Sequence, residues 1–253
     1  AVTPAPAVVI AHGFGGNKYA VVSQAQQFAD RGFVVLTYTA RGFAGSTGEI
    51  SMNSPQFEVA DARSVIDYAA GLPEVVQDSP DDPRIGFVGG SYGGALALLV
   101  TGYDDRVDAV AADITWNDLE SSLFGQSSQP GDEAPRGVFK QWWAGGFFSV
   151  GLNQPGSAAS PCGRFAPDWC AAFDEAAESG VVTRKSENLM ARSSPASVTD
   201  RIRVPTLIGA GQADSLFPFA QAVANHDQIR AADPKNPLKL VWHGGGHDGG
   251  LDE

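Results

Sequence analysis

Between an apolar run of strand character, Arg84-Ile85-Gly86-Phe87-Val88, and a helix-forming run, Ala95 to Val100, stands Gly89-Gly90-Ser91-Tyr92-Gly93-Gly94. A Gly-x-Ser-x-Gly turn in that position constrains the chain more than any other segment. The serine must sit at a tight strand-to-helix reversal with strained backbone angles, and glycine two positions before and two after lets strand and helix approach. Such a turn lifts the Ser91 hydroxyl out of the sheet. It also aims the N–H of Tyr92, at a helix N-terminus, toward a place where charge on an oxygen can be held. In a chain with 30 glycines the pentapeptide alone carries little weight; its place between strand and helix is what gives it meaning. A helix N-cap serine is the competing reading, but a cap needs none of the flanking glycines.

The other polar candidates fall at comparable places. His12-Gly13-Phe14-Gly15-Gly16 follows the apolar run Ala7–Ala11, so the Phe14 N–H is a candidate second donor to an oxyanion. Asp214 follows the run from Val204 to Ala210, and His247 follows Leu238 to His243 within a glycine-rich loop. Strands over 7–11, 33–38, 84–88, 107–112, 204–210 and 238–243 alternate with helices near 18–31 (closed by Gly32), from Ser54-Pro55 through an apolar face at Val59 to Ala69, and over 95–100, which predicts an α/β fold with a mostly parallel sheet. Residues 33–38 and 107–112 read as buried strands, and Pro55 suits the first turn of its helix. In such sheets, sites assemble at the carboxyl ends of the strands. His243 is the rival histidine and reads as a packed residue with one nitrogen satisfied. His12 reads as a brace for its own loop, and His226 as a surface residue. Asp113, just past the strand at 107–112, is the runner-up acid. Asp248 adjoins His247 and is badly placed to bond its neighbour's ring. The pairs Asp81-Asp82 and Asp104-Asp105 read as solvated turns.

With these residues the chain resembles the α/β-hydrolase superfamily, whose members carry Ser, Asp and His in this order. It is most similar to the branch of X-Pro dipeptidyl-peptidases and cocaine-esterase-type acyl hydrolases. The narrower likeness is carried by Arg41-Gly42-Phe43-Ala44-Gly45-Ser46-Thr47-Gly48, by Glu58-Val59-Ala60-Asp61 with Val65-Ile66-Asp67-Tyr68, and by Gly211 to Pro218 around Asp214. Gly-Gly-Ser-Tyr-Gly-Gly is shared with relatives of dienelactone hydrolase and acylaminoacyl peptidase. The resemblance implies a core formed by residues 1–115 and 200–253, with 116–199 inserted as a cap. It implies a serine hydrolase for carboxylic esters in which Ser91 is the nucleophile, His247 the base, Asp214 its partner, and the N–H groups of Phe14 and Tyr92 the oxyanion hole. No metal and no organic cofactor is implied.

Two other functions stay open. An exopeptidase releasing X-Pro dipeptides needs acidic groups for the substrate α-ammonium, for which Asp118, Glu120, Asp168 and Asp174 lie in the right region. A catalytically silent hydrolase fold used for binding is the third. The segment from Trp116 to Thr199 holds Trp116, Trp142, Trp143, Phe147, Phe148, Phe165, Trp169 and Phe173, with helical pieces near 136–149, 168–179 and 184–192. Most of these aromatics are expected to form the insertion's own small core, with one or two at the acyl pocket.

The formal net charge of −12 disfavours nucleic acid and anionic membranes as partners; a small ester or peptide as substrate is what the resemblance implies. Nothing in the sequence reads as a membrane span. Cys162 and Cys170, enclosed in a Gly/Pro-rich segment, favour a local disulfide; reduced thiols in a cytosolic enzyme are the alternative. A start at Ala1-Val2-Thr3 without an initiator Met suggests a processed, exported chain. Larger members of the branch carry a further β-rich C-terminal domain, so the chain is expected to be either a short enzyme or a fragment.

Overall fold

The computed structural model describes residues 3–125, 137–157 and 160–249. Six strands form one sheet in the order β2-β1-β5-β6-β7-β8: β1 (Ala7–Ala11), β2 (Val34–Thr37), β5 (Ile85–Gly90), β6 (Val107–Asp113), β7 (Thr206–Gly211) and β8 (Leu238–His243). Every pairing in it is parallel. A short antiparallel pair, β3 (Gln77–Ser79) and β4 (Asp82–Pro83), stands apart. The chain runs outward from β1 to β2 and then returns past β1 to β5, so the order reverses at the β1/β5 boundary. That reversal opens a crevice at the strands' carboxyl ends.

Alternation along β1 separates two cores. Ala7, Val9 and Ala11 pack with α2 (Glu58–Ala70), α3 (Tyr92–Tyr103) and α8 (Phe219–Ala232), while Val8 and Ile10 pack with α1 (Val22–Ala29). Helix α3 is apolar nearly all round and buried from Tyr92 to Gly102, as a helix at the centre of a domain must be. The face bearing α1 is covered less completely, and Leu207 and Val241 remain exposed on β7 and β8.

Several boundaries differ from expectation. Strand β2, read as fully buried, is half-buried throughout because it is an edge strand with β1 as its one neighbour. Strand β6 is likewise mixed, with Asp108 and Ala109 exposed. Helix α2 begins at Glu58, after a turn holding Pro55, because the Ser51 and Ser54 N–H groups are taken by the Glu58 carboxylate. Asp104 is buried and not solvated: it holds Arg63 and Arg106 together at the end of α3.

Between β6 and β7 the described residues contribute four α-helices, α4 (Leu119–Phe124), α5 (Gln141–Leu152), α6 (Pro167–Ser179) and α7 (Arg184–Arg192), then two single 3-10 turns, and no strand of the main sheet. The expected helix near 136–149 begins at Gln141; residue 136 itself lies outside the described residues. These helices share an aromatic core with Phe43, Ile50, Tyr92 and Phe217 of the sheet region. Cys162 and Cys170 form a disulfide that joins the loop after α5 to the first turns of α6.

Candidate active site

Parallel register aligns the ends of five strands. Ala11 pairs with Gly89, Gly90 with Asp113, Asp113 with Gly209, and Gly211 with His243, so the residues just beyond β1, β5, β7 and β8 emerge along one edge. Ser91 follows β5 with φ 55° and ψ −121°, a conformation that side-chain-bearing residues rarely adopt. Space behind it explains the glycines. A Cβ on Gly89 would strike the backbone of Gly93, and a Cβ on Gly93 would strike the carbonyls of Ala11 and His12. Six described non-glycine residues have positive φ, and four of them, Met52, Asn53, Ser91 and Ile114, gather around this turn. Strain of roughly 1–3 kcal/mol per such residue persists where the surroundings fix the backbone, as at a site.

His247 brings the edge together. Its Nε2 lies 2.7 Å from Ser91 Oγ, and its Nδ1 lies 2.7 Å from Asp214 Oδ2. A carboxylate is an acceptor only, so the proton sits on Nδ1 and the Nε2 lone pair faces the serine hydroxyl. The second oxygen of Asp214 accepts the Phe217 N–H at 2.8 Å. The Asp214 side chain is fully buried and that of His247 is 12% exposed. Phe217 and Trp143 set their rings edge-on to the imidazole at 5.1 and 6.0 Å. Such an arrangement can move the hydroxyl proton to the imidazole while the carboxylate stabilises the resulting cation.

The other histidines and acids take separate places. His12 is buried; its Nε2 accepts the Ala40 N–H at 3.0 Å, so Nδ1 donates to the Gly13 carbonyl at 2.8 Å. Burial holds its pKa below the usual value, and the neutral ring braces the loop that carries Phe14. His243 bonds Asp113 at 2.9 Å through Nε2 and accepts the Gly245 N–H through Nδ1, so the rival histidine and the runner-up acid are paired with each other. His226 pairs with Asp227 on α8. Asp248 accepts from the Ser215 hydroxyl at 2.8 Å and from its N–H, and so holds the Asp214 loop. No hydrogen bond among the described residues occupies the N–H of Phe14 or Tyr92. The Phe14 ring packs edge-on against Tyr92 at 5.4 Å.

Behind the turn lies a buried group that the sequence reading named only as part of the branch likeness, with no role of its own. Glu58 accepts the N–H groups of Ser51 and Ser54 and the Tyr92 hydroxyl. Burial pushes its carboxyl up to about 7, against the pull of those N–H groups and the Arg41 charge. No local pattern announces it, since its partners come from a loop and from the far side of the serine. Asn53 donates to the Tyr92 carbonyl from the same side.

A cavity of about 110 Å³ opens at Ser91 and extends beneath α5. Six of the eight aromatics noted in the sequence line it, Trp116, Phe147, Phe148, Phe165, Trp169 and Phe173, where one or two were expected. The aromatic core of the overlying helices and the wall of the cavity are the same side chains. Trp142 is 79% exposed instead. None of Asp118, Glu120, Asp168 and Asp174 is among the described lining residues; Asp118 caps α4 through the Ser121 N–H.

A family model described as X-Pro dipeptidyl-peptidase (S15 family) matches residues 2–249. An Escherichia coli protein described as "Uncharacterized 31.7 kDa protein in traX-finO intergenic region" is 29% identical over 125 residues, 49% of this chain and 42% of that protein. The chain thus spans less than half the length of the curated relatives it matches. Among solved structures, the acetyl xylan esterase from Paenibacillus sp. R4 superposes with a TM-score of 0.62 at 19% identity, over 98% of this chain and 72% of that one. The acylaminoacyl peptidase of Pyrococcus horikoshii does so with 0.61 at 15%, over 97% and 34%. At these identities the likeness shows the fold, an α/β-hydrolase.

Proposed function

This chain belongs to the X-Pro dipeptidyl-peptidase (S15) family and has the α/β-hydrolase fold; from that premise and the geometry at Ser91 we propose a serine hydrolase that cleaves carboxylic esters by acyl transfer. Ser91 Oγ attacks the carbonyl carbon as its proton passes to His247 Nε2. The ester C–O bond breaks, and the departing alcohol takes that proton. Water then attacks the acyl-enzyme, gives a proton to His247 and releases the acid, and Ser91 recovers its hydrogen. Asp214 keeps the ring in the required tautomer. The Phe14 and Tyr92 N–H groups hold the oxyanion, each worth on the order of 3 kcal/mol of barrier. Residues 116–199 act as the cap over this site, on a core of 1–115 and 200–253.

The observation that carries the reading is the unbroken chain of two 2.7 Å hydrogen bonds from Ser91 through His247 to a fully buried carboxylate. Fluorophosphonate labelling followed by peptide mapping tests it. Ser91 alone is expected to be modified; modification at Ser46 or Ser215, or none, would reject the assignment, and the last result would favour a silent binding module.

The family's name supports a second reading, an X-Pro dipeptidyl exopeptidase. It is separated by comparing kcat/KM for a Gly-Pro anilide with that for p-nitrophenyl butyrate, the ester being expected to win. The Cys162–Cys170 bridge supports an oxidising, extracytoplasmic location. Among the described residues no helix is long and apolar enough to cross a membrane.

A further inference from the structure

Continuous carbon walls line the cavity that opens at Ser91. Among its described lining residues none is charged. Three of its polar side chains are turned to partners elsewhere: Trp116 Nε1 donates to the Ser193 carbonyl, the Tyr92 hydroxyl to Glu58, and the Ser186 hydroxyl meets Thr183. A water molecule inside would lack the two to four partners that hold buried water in place. An ammonium or carboxylate entering the space would lose its hydration with nothing to replace it.

The cavity also has a depth. Phe14, beside the serine turn, stacks on Phe165 at 5.9 Å, Phe165 on Phe148 at 5.0 Å, and Phe148 on Phe173 at 4.0 Å, a path from the nucleophile to α6. Helix α6 presents Trp169, Ala172, Phe173 and Ala176 to it, the i, i+3, i+4, i+7 face of a helix. Two of those four positions are alanine, and the space between the rings exists because they are small. An engineered apolar cavity of roughly 150 Å³ holds one six-carbon benzene ring; on that scale about 110 Å³ takes roughly four to five carbons, which with the carbonyl carbon held outside at Ser91 makes an acyl group of roughly six.

We infer that the cavity is an acyl-chain pocket, and that the substrates are esters of uncharged aliphatic carboxylic acids of about six carbons, with substrates bearing a free α-ammonium excluded. The inference rests on the acyl-transfer reading of Ser91 for its kinetic part, and its binding part stands apart from it. Each methylene buried along the rings favours the complex about fourfold, the equivalent of about 0.8 kcal/mol.

Two measurements on the full chain test this separately. In the first, p-nitrophenyl acetate, butyrate, hexanoate and decanoate are compared at constant leaving group. kcat/KM is expected to rise by on the order of 10² from acetate to hexanoate and to fall again at decanoate. A flat series, or acetate as the best substrate, overturns the pocket, as does a Gly-Pro ester or anilide cleaved faster than the hexanoate. In the second, Ser91→Ala is titrated with methyl butyrate and methyl hexanoate by calorimetry, where no chemistry is required. Hexanoate is expected to bind about tenfold more tightly, and no binding of either overturns the pocket whatever Ser91 does. Ala176→Phe fills the far end and should reverse the butyrate–hexanoate order in both measurements. If that variant does not fold, Ala172→Leu makes the same test, and an unchanged order in a folded variant rejects the assignment of the acyl group to this space. If fluorophosphonate fails to label Ser91 while methyl hexanoate still binds, the acyl-transfer reading falls and the pocket stands.

Discussion

The carboxyl edge of the sheet and the helices laid across it solve different problems with different side chains. At the edge, position is set by backbone. Four successive parallel registers, a strained serine and glycines that admit no Cβ fix where Ser91, Asp214 and His247 emerge. In the overlying helices, position is set by rings resting on rings, as Phe148 rests on Phe165 and Phe173. Polar ties also join the two regions: the Ala44 N–H donates to Gln154, Ile50 exchanges backbone hydrogen bonds with Arg164 and Ala166, and Gln221 donates to Ser121. Lys140 donates to the carbonyls of Ser215 and Leu216, Trp143 Nε1 donates to Ser215 Oγ at 3.1 Å, and Arg164 reaches the carbonyls of Ser46 and Gly48. On the proposed function, reaction chemistry is assigned to one region and selection of the acyl group to the other, with the Asp214 loop as the seam.

The largest effects should come from the edge and be insensitive to acyl length. Ser91→Ala is expected to lower kcat by roughly 10³ to 10⁶. Asp214→Asn should lower it by on the order of 10⁴ by permitting the wrong His247 tautomer. Asp113→Asn should cost less than about tenfold, because its partner His243 holds the loop through Gly245 and not the serine. If steady-state assays find Asp113→Asn crippling and Asp214→Asn mild, the acid has been assigned to the wrong strand. If either substitution at Asp214 or Asp113 changes the acetate-to-hexanoate ratio, chemistry and selection are not divided between the regions as described.

What could be read in the sequence follows the same division. The edge is written locally: a strand, a turn with glycines at fixed offsets, then a helix, with the polar residues placed just past apolar runs. Hence β1 and β8 have the expected limits, and Ser91, Asp214 and His247 meet. The overlying helices were legible as helices but not as a pocket, because a ring at Phe173 and a ring at Phe14 share a cavity only after the chain has closed. Buried polar groups were the other loss. Asp104 reads as solvated in sequence and Glu58 carries no role there; beside near partners at Arg106 and Ser54, each is held by one that is distant in the chain, Arg63 at 41 residues and Tyr92 at 34. Likewise His243 and Asp113, each weighed alone, are 130 residues apart and bonded to each other.

A second test asks whether the buried carboxyl behind the edge is held at a cost. Glu58 has a folded pKa of about 7 against an ordinary 4.5. An acid raised in this way contributes stability that is full below pH 4.5 and is lost as pH rises through about 7, because the unfolded chain releases its proton first. Two and a half units correspond to at most about 3 kcal/mol. Urea midpoints of the wild type are therefore expected to fall between pH 5 and pH 8 by more than those of Glu58→Gln. Equal slopes for the two proteins would mean that the ionisation of Glu58 is not coupled to folding.

The overlying helices should respond to their disulfide without disturbing the edge. Without reductant, the intact mass should be about two hydrogen masses below the reduced value. Reduction opens a short loop and should cost roughly 2–3 kcal/mol in the chain-entropy model. Fluorophosphonate labelling of Ser91 should persist while the preference for hexanoate weakens, since Phe165 lies within the loop the bridge closes and Phe173 three residues past it. Loss of both together would join the two regions into one cooperative unit.

The smallest effect concerns helix α5, which lies over Ser91 and carries Gly145 and Gly146 in its interior. A Cβ built on either residue meets nothing within 4 Å. Alanine is therefore sterically free at both positions, and each glycine costs the helix about 0.8–1 kcal/mol relative to alanine. For a chain of this size each kcal/mol corresponds to roughly 2–4 °C in Tm, so Gly145→Ala and Gly146→Ala should each raise the melting temperature by that amount and together by about twice it. At the edge the reverse holds: Gly93→Ala, whose Cβ would strike Ala11 and His12, should destabilise. Calorimetric melts of the three variants set one region against the other with a single kind of substitution. Were the α5 alanines to destabilise as Gly93→Ala does, those positions would be packed as tightly in solution as the serine turn.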